Sequence, residues 1–267
     1  MPFAVLVDQT GRKVKLPARP KRIISLVPSL TALICYLGLE DELLGVTRFC
    51  THPEGLKGRK KVVGGTKEVR YDRIRDLRPD LIICNKEENT PEMVSALEQF
   101  CPVHVSDIST ISDFLELLKD YEVLFGLPGK TGQLAGEISR ELDRRAVANL
   151  PPVKVAYFIW RKPWMLAGGQ TFINAMLQCG GFCNVAASTS RYPAFENDWP
   201  EQWDRPEWIM LSSEPYPFKE KHLAEIRELF PEARILLVDG RWFSWYGPEL
   251  PVFLKKIAGL RLQEGGQ

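Results

Sequence analysis

The residues of this sequence best suited to binding a ligand are its tryptophans, and all seven lie in the second half. Trp160-Arg161-Lys162-Pro163-Trp164 and Trp242-Phe243-Ser244-Trp245 each follow a predicted strand. Ligands bind at the carboxyl ends of strands in open α/β sheets, and large rings exposed there are costly unless a partner covers them. We therefore predict that Trp160, Trp164 and Trp242 contact a large flat ligand. The alternative is that these rings pack together and cap the sheet.

Three of the remaining tryptophans are spaced like residues that stabilise a fold. Trp199, Trp203 and Trp208 recur as residues that anchor a helix to a core do. We expect them to serve the fold more than the ligand.

Arginines stand beside several aromatic residues. The pairs are Arg48-Phe49, Trp160-Arg161, Arg191-Tyr192 and Arg241-Trp242. A guanidinium can stack on a flat ligand and can bind carboxylate or phosphate oxygens with two parallel hydrogen bonds. Solvent-facing arginines beside aromatic residues are common, so this alternative stays open for each pair.

Catalytic patterns are scarce. The three histidines are His52, His104 and His222, of which the last two lie on a predicted strand and on a charged helix. Cys50-Thr51-His52 could hold a nucleophile beside a base, or offer His52 as an axial ligand to a chelated metal, or be ordinary loop composition. The sequence has no zinc-ligand spacing, phosphate-binding loop or nucleophile elbow. We predict a protein that is not an enzyme and has no intrinsic cofactor.

Two glycine pairs mark close approaches of the backbone. Gly64-Gly65 and Gly168-Gly169 lack a phosphate-binding fingerprint, so we interpret them as places where the backbone closely approaches a ligand or a neighbouring stretch of chain.

Strands alternate with helices along most of the chain, which predicts parallel sheets covered on both faces. The middle differs, because Leu134, Ile138, Leu142 and Ala146 recur every four residues with no strand candidate from 128 to 149. This spacing predicts one long helix between two α/β lobes. The alternative is a single continuous sheet with a long crossover helix.

Composition limits the class of partner. The 267 residues are 45% hydrophobic and 26% charged, with a net charge of +1, and no basic run points to nucleic acid. The first residues lack a basic n-region and no apolar stretch is long enough to span a membrane. The six cysteines lie mostly in apolar settings that suit reduced thiols. As it stands, the sequence predicts a cytoplasmic protein, or a periplasmic one if a leader precedes it.

A family pattern runs through the first hundred residues. It consists of Asp8-x-x-Gly11-Arg12-x-Val14-x-Leu16-Pro17, Ser25-Leu26-x-Pro28-Ser29-x-Thr31, Gly45-Val46-Thr47, Val63-Gly64-Gly65 and Leu77-x-Pro79-Asp80-Leu81-Ile82. The pattern resembles class III periplasmic binding proteins, the helical-backbone metal receptors that include cobalamin and ferric-siderophore receptors of ABC importers. The resemblance implies two Rossmann-like α/β lobes joined by one long rigid helix, with a preformed ligand cleft between the lobes. On this sequence the parts are an N-terminal lobe at 1–127, the linker helix at 128–150 and a C-terminal lobe at 151–267.

The resemblance also assigns site residues. It places Arg48, Phe49, His52, Thr66 and Lys67 at the ligand from the first lobe, and Trp160, Arg161, Trp164, Arg241, Trp242 and Phe243 from the second. Importer receptors further present one acidic residue per lobe to arginines of the permease. Asp72 fits the first position, whereas the second falls near Ser244, for which Glu249 is a substitute.

The resulting prediction is a monomeric substrate-binding protein that captures a bulky metal chelate for ABC-type import, with a corrinoid favoured over a ferric siderophore or haem. A cytosolic corrinoid-handling protein or enzyme that reuses the fold is the second hypothesis. A scaffold whose aromatic residues form a protein interface is the third.

Overall fold

The computed structural model describes residues 3–144, 150–196 and 198–262. The chain divides into two compact units. Unit 1 takes its described residues from 1–108, 112–137 and 246–248, and unit 2 takes its own from 109–111, 138–245 and 249–267. The predicted boundaries at 127 and 150 remain a prediction.

Unit 1 begins with a hairpin and continues with alternating strands and helices. Its strands are β1 Phe3–Val7, β2 Lys13–Pro17, β3 Ile23–Ser25, β4 Leu43–Val46, β5 Lys61–Val62, β6 Leu81–Asn85 and β7 Val103–Ser106. Its helices are α1 Pro28–Tyr36, α2 Leu56–Arg59, α3 Tyr71–Asp76, α4 Pro91–Glu98 and α5 Ile111–Phe125, of which α5 begins within the short stretch counted with unit 2.

Local sequence explains where these elements begin and turn. The hairpin of β1 and β2 is antiparallel, with Val7 opposite Lys13, as the alternation of valines and the Thr10-Gly11 turn predict. Helix α4 starts at Pro91 after Thr90, whose Oγ accepts a hydrogen bond of 3.2 Å from the Met93 amide. Proline at the first helical position and a threonine cap define the start, because both suit amides that have no partner within the helix.

Strands β3 to β7 form a five-stranded sheet in the order β5-β4-β3-β6-β7, and every pairing is parallel. The interior strand β6 is buried along its whole length, as its sequence Leu-Ile-Ile-Cys-Asn suggests. Ile82 and Cys84 belong with Leu97 of α4 to one hydrophobic core cluster of this unit. Since all five strands run the same way, their carboxyl ends meet at one edge of the sheet.

Helix α6, Pro128–Asp143, contains the predicted apolar stripe, and Leu134 and Ile138 are completely buried. Its residues belong to unit 1 as far as Glu137 and to unit 2 from Ile138. The last part of the predicted linker helix, 145–149, lies outside the described residues.

Unit 2 contains the second sheet. Its strands are β8 Val153–Trp160, β9 Trp164–Leu166, β10 Phe182–Asn184, β11 Ala194–Phe195, β12 Trp208–Ser212 and β13 Arg234–Val238. Its helices are α7 Phe172–Cys179, α8 Lys221–Leu229, α9 Arg241–Ser244 and α10 Leu250–Leu262.

The second sheet is mixed, with the order β11-β9-β8-β12-β13 and with β10 beside β8. Strands β10, β8, β12 and β13 are parallel, whereas β9 and β11 are antiparallel additions. Only three residues join β8 to β9, too few for the crossover that a parallel neighbour requires, so this connection is a hairpin. The sequence pattern predicts the parallel strands but not the hairpin that joins β8 to β9. In the described residues the two larger sheets are separate, so the alternative of one continuous sheet is wrong.

Candidate functional site

The carboxyl edge of the sheet in unit 1 carries most of the predicted binding residues of that unit. Arg48 and Phe49 follow β4, and Thr66 and Lys67 follow β5, the neighbouring strand. The backbone joins the two loops, because the Arg48 amide donates to the Gly64 carbonyl at 2.8 Å. The sequence therefore brings these four residues to one edge.

Arg48 and Phe49 form a stacked pair on this edge. The Arg48 guanidinium carbon lies 4.8 Å from the centroid of the Phe49 ring. The Phe49 side chain is 48% exposed, which is unusual for a phenylalanine. A Cβ atom on Gly65 would lie 3.1 Å from Arg48 Nη2 and 3.3 Å from Phe49 Cε2, so the absence of a side chain at Gly65 lets the pair lie against the turn.

Gly64 explains the shape of this turn. Its φ is +137°, and a Cβ there would lie 2.6 Å from the Glu68 carbonyl oxygen. The predicted close approach of the backbone to a neighbouring stretch of chain is confirmed here. It is also confirmed at Gly168 and Gly169, where a Cβ would lie 2.3 Å from the carbonyl oxygens of Thr189 and Ala187, respectively.

The loop after β6 holds the neighbouring turn in place and was missed by the sequence reasoning. Asn89 Nδ2 donates to the Thr66 carbonyl at 2.8 Å, and Lys67 Nζ donates to the Glu87 carbonyl at 2.5 Å. Asn85, the last residue of β6, accepts a 2.8 Å bond from the Glu87 amide. The signal that could have identified this loop is its position, since it directly follows β6, a strand that is buried along its whole length.

Cys50 and His52 are separated by their environments. The Cys50 thiol is fully buried, 3.1 Å from Thr31 Oγ and 3.2 Å from Thr47 Oγ. Burial raises the pKa of this thiol, so it is held in the neutral form that is a poor nucleophile. His52 is half-buried at the end of the same loop. The geometry does not favour the nucleophile interpretation of Cys50-Thr51-His52.

In unit 2 the carboxyl ends of β8, β12 and β13 also meet at one edge. Trp160, the last residue of β8, is 40% exposed and lies edge-on to Tyr216, with ring centroids 5.6 Å apart. Trp160 is thus an aromatic residue displayed at the end of a central strand.

Trp164 and Arg161 are more engaged within the unit. Trp164 stacks on Phe218 with an interplanar angle of 7° and a centroid distance of 6.3 Å. Arg161 lies 5.2 Å from the Trp164 ring and forms an ion pair of 2.5 Å with Glu225 of α8. The positive charge of Arg161 is therefore balanced inside unit 2.

The loop after β13 forms the short helix α9. Arg241 pairs with Asp239, with Nη2 and Oδ2 2.8 Å apart. Trp242 is half-buried under Lys256, whose Nζ lies 4.8 Å from the ring centroid. Phe243 is completely buried and packs on Tyr157 at 5.0 Å. The three side chains differ in burial and in the residues that they contact, because successive residues of one helical turn point in different directions. Direct ligand contact by Phe243 would require a change in this packing.

Glu214 anchors α9 to the end of β12 and was also missed by the sequence reasoning. Its Oε1 accepts bonds from Ser244 Oγ at 2.8 Å and from Trp245 Nε1 at 2.9 Å. Burial raises the pKa of this carboxyl group, and the two hydrogen bonds partly offset that effect. Glutamate in a loop gives no periodic signal, so the sequence alone does not reveal this role.

Trp199, Trp203 and Trp208 serve the core of unit 2, as expected, although none of them lies on a helix and Trp208 begins β12. Trp203 and Trp208 are 4% and 3% exposed. Trp199 packs between Trp203 and Phe230, with centroids at 5.2 and 4.9 Å.

The acidic residues proposed for permease docking lie at helix starts. Asp72 is exposed in the first turn of α3, and Glu249 directly precedes α10. Their role remains a prediction.

Each of the two α/β units displays one exposed aromatic residue, Phe49 or Trp160, at the carboxyl edge of its sheet, an arrangement that is typical of ligand-binding proteins. The chain belongs to the periplasmic binding protein family, whose model matches residues 23–229.

Relatives and solved structures agree with this membership. The chain is 28% identical over 197 residues to an uncharacterized ABC transporter substrate-binding lipoprotein of Bacillus subtilis, covering 69% of this chain and 62% of that protein. It is 28% identical over 238 residues to a vitamin B12-binding protein of Vibrio parahaemolyticus, covering 86% and 77%. The periplasmic vitamin B12-binding protein BtuF of Vibrio cholerae has the same fold, with a TM-score of 0.78 at 19% identity, covering 94% of this chain and all of that one.

No helix in the described part of the chain is both long and apolar enough to cross a membrane.

Proposed function

We propose that this chain is a substrate-binding protein that captures a bulky metal chelate for ABC-type import, with a corrinoid as the favoured ligand. The observation that carries the proposal is the exposure of Phe49 and Trp160 at the carboxyl edges of the two sheets. Such rings stabilise a bound planar ligand, and remain costly to expose otherwise. The metal would arrive within the ligand, so the protein itself need supply no metal site.

The relatives support the choice of a corrinoid. A matched protein of similar length is named for vitamin B12 binding, and the resemblance in Gly45-Val46-Thr47 favours the same ligand class. Haem and ferric siderophores are the next candidates, because they are also rigid chelates that suit aromatic surfaces. The import partner is proposed from family membership, with Asp72 and Glu249 as the residues that contact the permease.

The proposed absence of catalysis is supported by the state of Cys50. A buried neutral thiol beside two threonine hydroxyls gives His52 nothing to activate. If His52 acts at all, we expect it to bear on ligand affinity rather than on turnover.

Titration of the protein with cyanocobalamin, dicyanocobinamide, haem and a ferric siderophore tests the proposal, with tryptophan fluorescence as the readout. We expect saturable quenching by one of these chelates at micromolar concentration or below. Trp160→Leu should weaken that binding, whereas Trp203→Phe, a change in the core of unit 2, is the matched control and should leave the affinity near that of the wild type. Absence of quenching by all four chelates would contradict the proposed function.

A further inference from the structure

The predicted binding arginines differ in how their charge is balanced. Arg161 forms its ion pair with Glu225, and Arg241 forms its own with Asp239. Both guanidinium groups thus carry a neighbouring carboxylate within unit 2. A paired guanidinium attracts an additional anion only weakly, because the nearby negative charge cancels most of its field.

Arg48 is different. Its side chain is exposed and stacks on Phe49, and within the described residues no carboxylate forms an ion pair with it. Its backbone is fixed at both ends, since the amide donates to Gly64 and the carbonyl accepts from Lys57 Nζ at 3.2 Å. The guanidinium is therefore held in place by its backbone and by a ring, with its hydrogen-bond donors available.

Lys67 adds a second cation on the adjacent loop. Its Nζ donates to the backbone carbonyl of Glu87 and, among the residues described, pairs with no carboxylate. Glu87 and Glu88 follow β6 on the same edge and bring negative charge there, so the edge is not uniformly basic. Nevertheless, Arg48 and Lys67 are the lysine and arginine side chains of the predicted site that form no ion pair with an acidic side chain of the described residues.

We propose that Arg48, assisted by Lys67, binds an anionic substituent of the ligand, so that of two chelates with the same macrocycle the one that carries carboxylate groups binds more tightly. The inference rests on the proposed function. It assigns the recognition of negative charge to the carboxyl edge of the sheet in unit 1. Guanidinium and carboxylate geometry match well, so the contribution of Arg48 should be specific as well as strong.

The test compares chelates that share a macrocycle and metal but carry either carboxylate groups or uncharged derivatives of them. Haem is paired with its dimethyl ester, and dicyanocobyrinic acid with dicyanocobinamide, whose side chains are amides. Of the two pairs, the one that binds more tightly is used for the comparison. Within that pair we expect the wild-type protein to bind the carboxylate form more tightly than the uncharged form. The affinity for the carboxylate form should fall as the ionic strength rises. Arg48→Gln should lower the affinity for the carboxylate form about ten-fold or more and change that for the uncharged form much less. Lys67→Gln should act in the same direction.

Two further variants separate charge from position. Gly65→Ala keeps every charge but places a methyl group against the Arg48 guanidinium, so it should reduce the preference for carboxylates. Arg75→Gln removes another exposed guanidinium of unit 1 that stacks on a phenylalanine ring, 4.7 Å from the Phe100 centroid, and should leave both affinities unchanged. Circular dichroism verifies that each variant is folded.

The outcomes distinguish the two proposals. If the uncharged chelates bind as tightly as the carboxylates, or if Arg48→Gln weakens both forms equally, the assignment of Arg48 is wrong while the binding function stands. If Arg75→Gln lowers the affinity for the carboxylate form as much as Arg48→Gln does, a general loss of positive charge explains the effect and the assignment of Arg48 is wrong. If no chelate of either kind binds, the proposed function fails and this inference fails with it.

Discussion

At the scale of single residues, a buried histidine sets a pH limit on stability. His104 in β7 is completely buried, and neither ring nitrogen has a hydrogen-bond partner among the described residues. Its ring lies 5.7 Å from Tyr121, whose hydroxyl is buried and likewise without a partner there. Burial lowers the pKa of His104 to about 4, against an ordinary value of 6.5.

The sign of the pH effect follows from that difference. Between pH 6.5 and about 4 the unfolded chain binds a proton at His104 that the folded chain does not, so the free energy of unfolding decreases as the pH falls. The loss should be on the order of 3 kcal/mol over this range. His104→Leu should remove it, as measured by urea unfolding at several pH values, whereas His222→Gln keeps His104 and should retain it.

Asp120 opposes this trend. Burial raises the pKa of its carboxyl group to about 6, so Asp120 contributes stability below its unfolded value of 3.8 that is lost as the pH rises through about 6. Comparison of the His104 variant with the wild type cancels the effect of Asp120. A pH profile of unfolding that is the same in both proteins would mean that His104 is hydrated or paired in solution.

At the scale of elements, Glu214 couples the end of β12 to α9, the helix that carries the predicted binding residues Arg241, Trp242 and Phe243. Glu214→Ala would leave the Ser244 hydroxyl and the Trp245 indole without their acceptor. We expect a loss of about 2 kcal/mol in the free energy of unfolding, measured by urea denaturation with tryptophan fluorescence. Glu214→Gln keeps a carbonyl oxygen at that position and should lose less than half as much. Equal losses in the two variants would show that charge, and not the acceptor geometry, matters.

The elements also show what the sequence can and cannot predict. Strong signals gave strands β3, β6, β8, β12 and β13 and the helix α6, since buried apolar runs and a stripe every four residues dominate their surroundings. Strands β9 and β11 escaped prediction because two or three residues form no periodic pattern, and their pairing depends on neighbours far along the chain.

The same limit applies to the candidate site. The position of Arg48 after a strand was predictable, because strand ends align in a parallel sheet. The burial of Phe243 and the pairing of Arg161 with Glu225 were not, since they depend on the direction of side chains in a turn of α9 and on a partner 64 residues away. Residue type and position along the chain thus identify candidates, and only packing decides which of them can reach a ligand.

At the scale of the whole molecule, the units are not two consecutive halves of the chain. Tyr246–Pro248 belongs to unit 1, although the residues on both sides belong to unit 2. Tyr246 is buried there, and its ring lies 6.0 Å from Phe114 of α5. A fragment of residues 1–144 therefore lacks a side chain of its own core.

We expect this fragment, expressed alone, to melt at a lower temperature than the full chain and to bind the dye ANS at the exposed apolar surface. Tyr246→Ala in the full chain should reproduce part of the loss, about 3 kcal/mol, and Tyr246→Phe should cost much less. Calorimetry of the three proteins measures the effect. A fragment as stable as the full chain would show that unit 1 folds without Tyr246.

Because unit 1 is discontinuous along the chain, the position of a junction matters when this protein is recombined with a relative. In a chimera that takes everything after a junction near residue 150 from a relative, unit 1 would contain the relative's residues at 246–248. Restoring Tyr246–Pro248 at those three positions would give unit 1 its native core residues again. Exchange of genetic material at a single breakpoint is therefore not neutral for this fold, and the tripeptide should be inherited together with α5 rather than with the sequence that surrounds it.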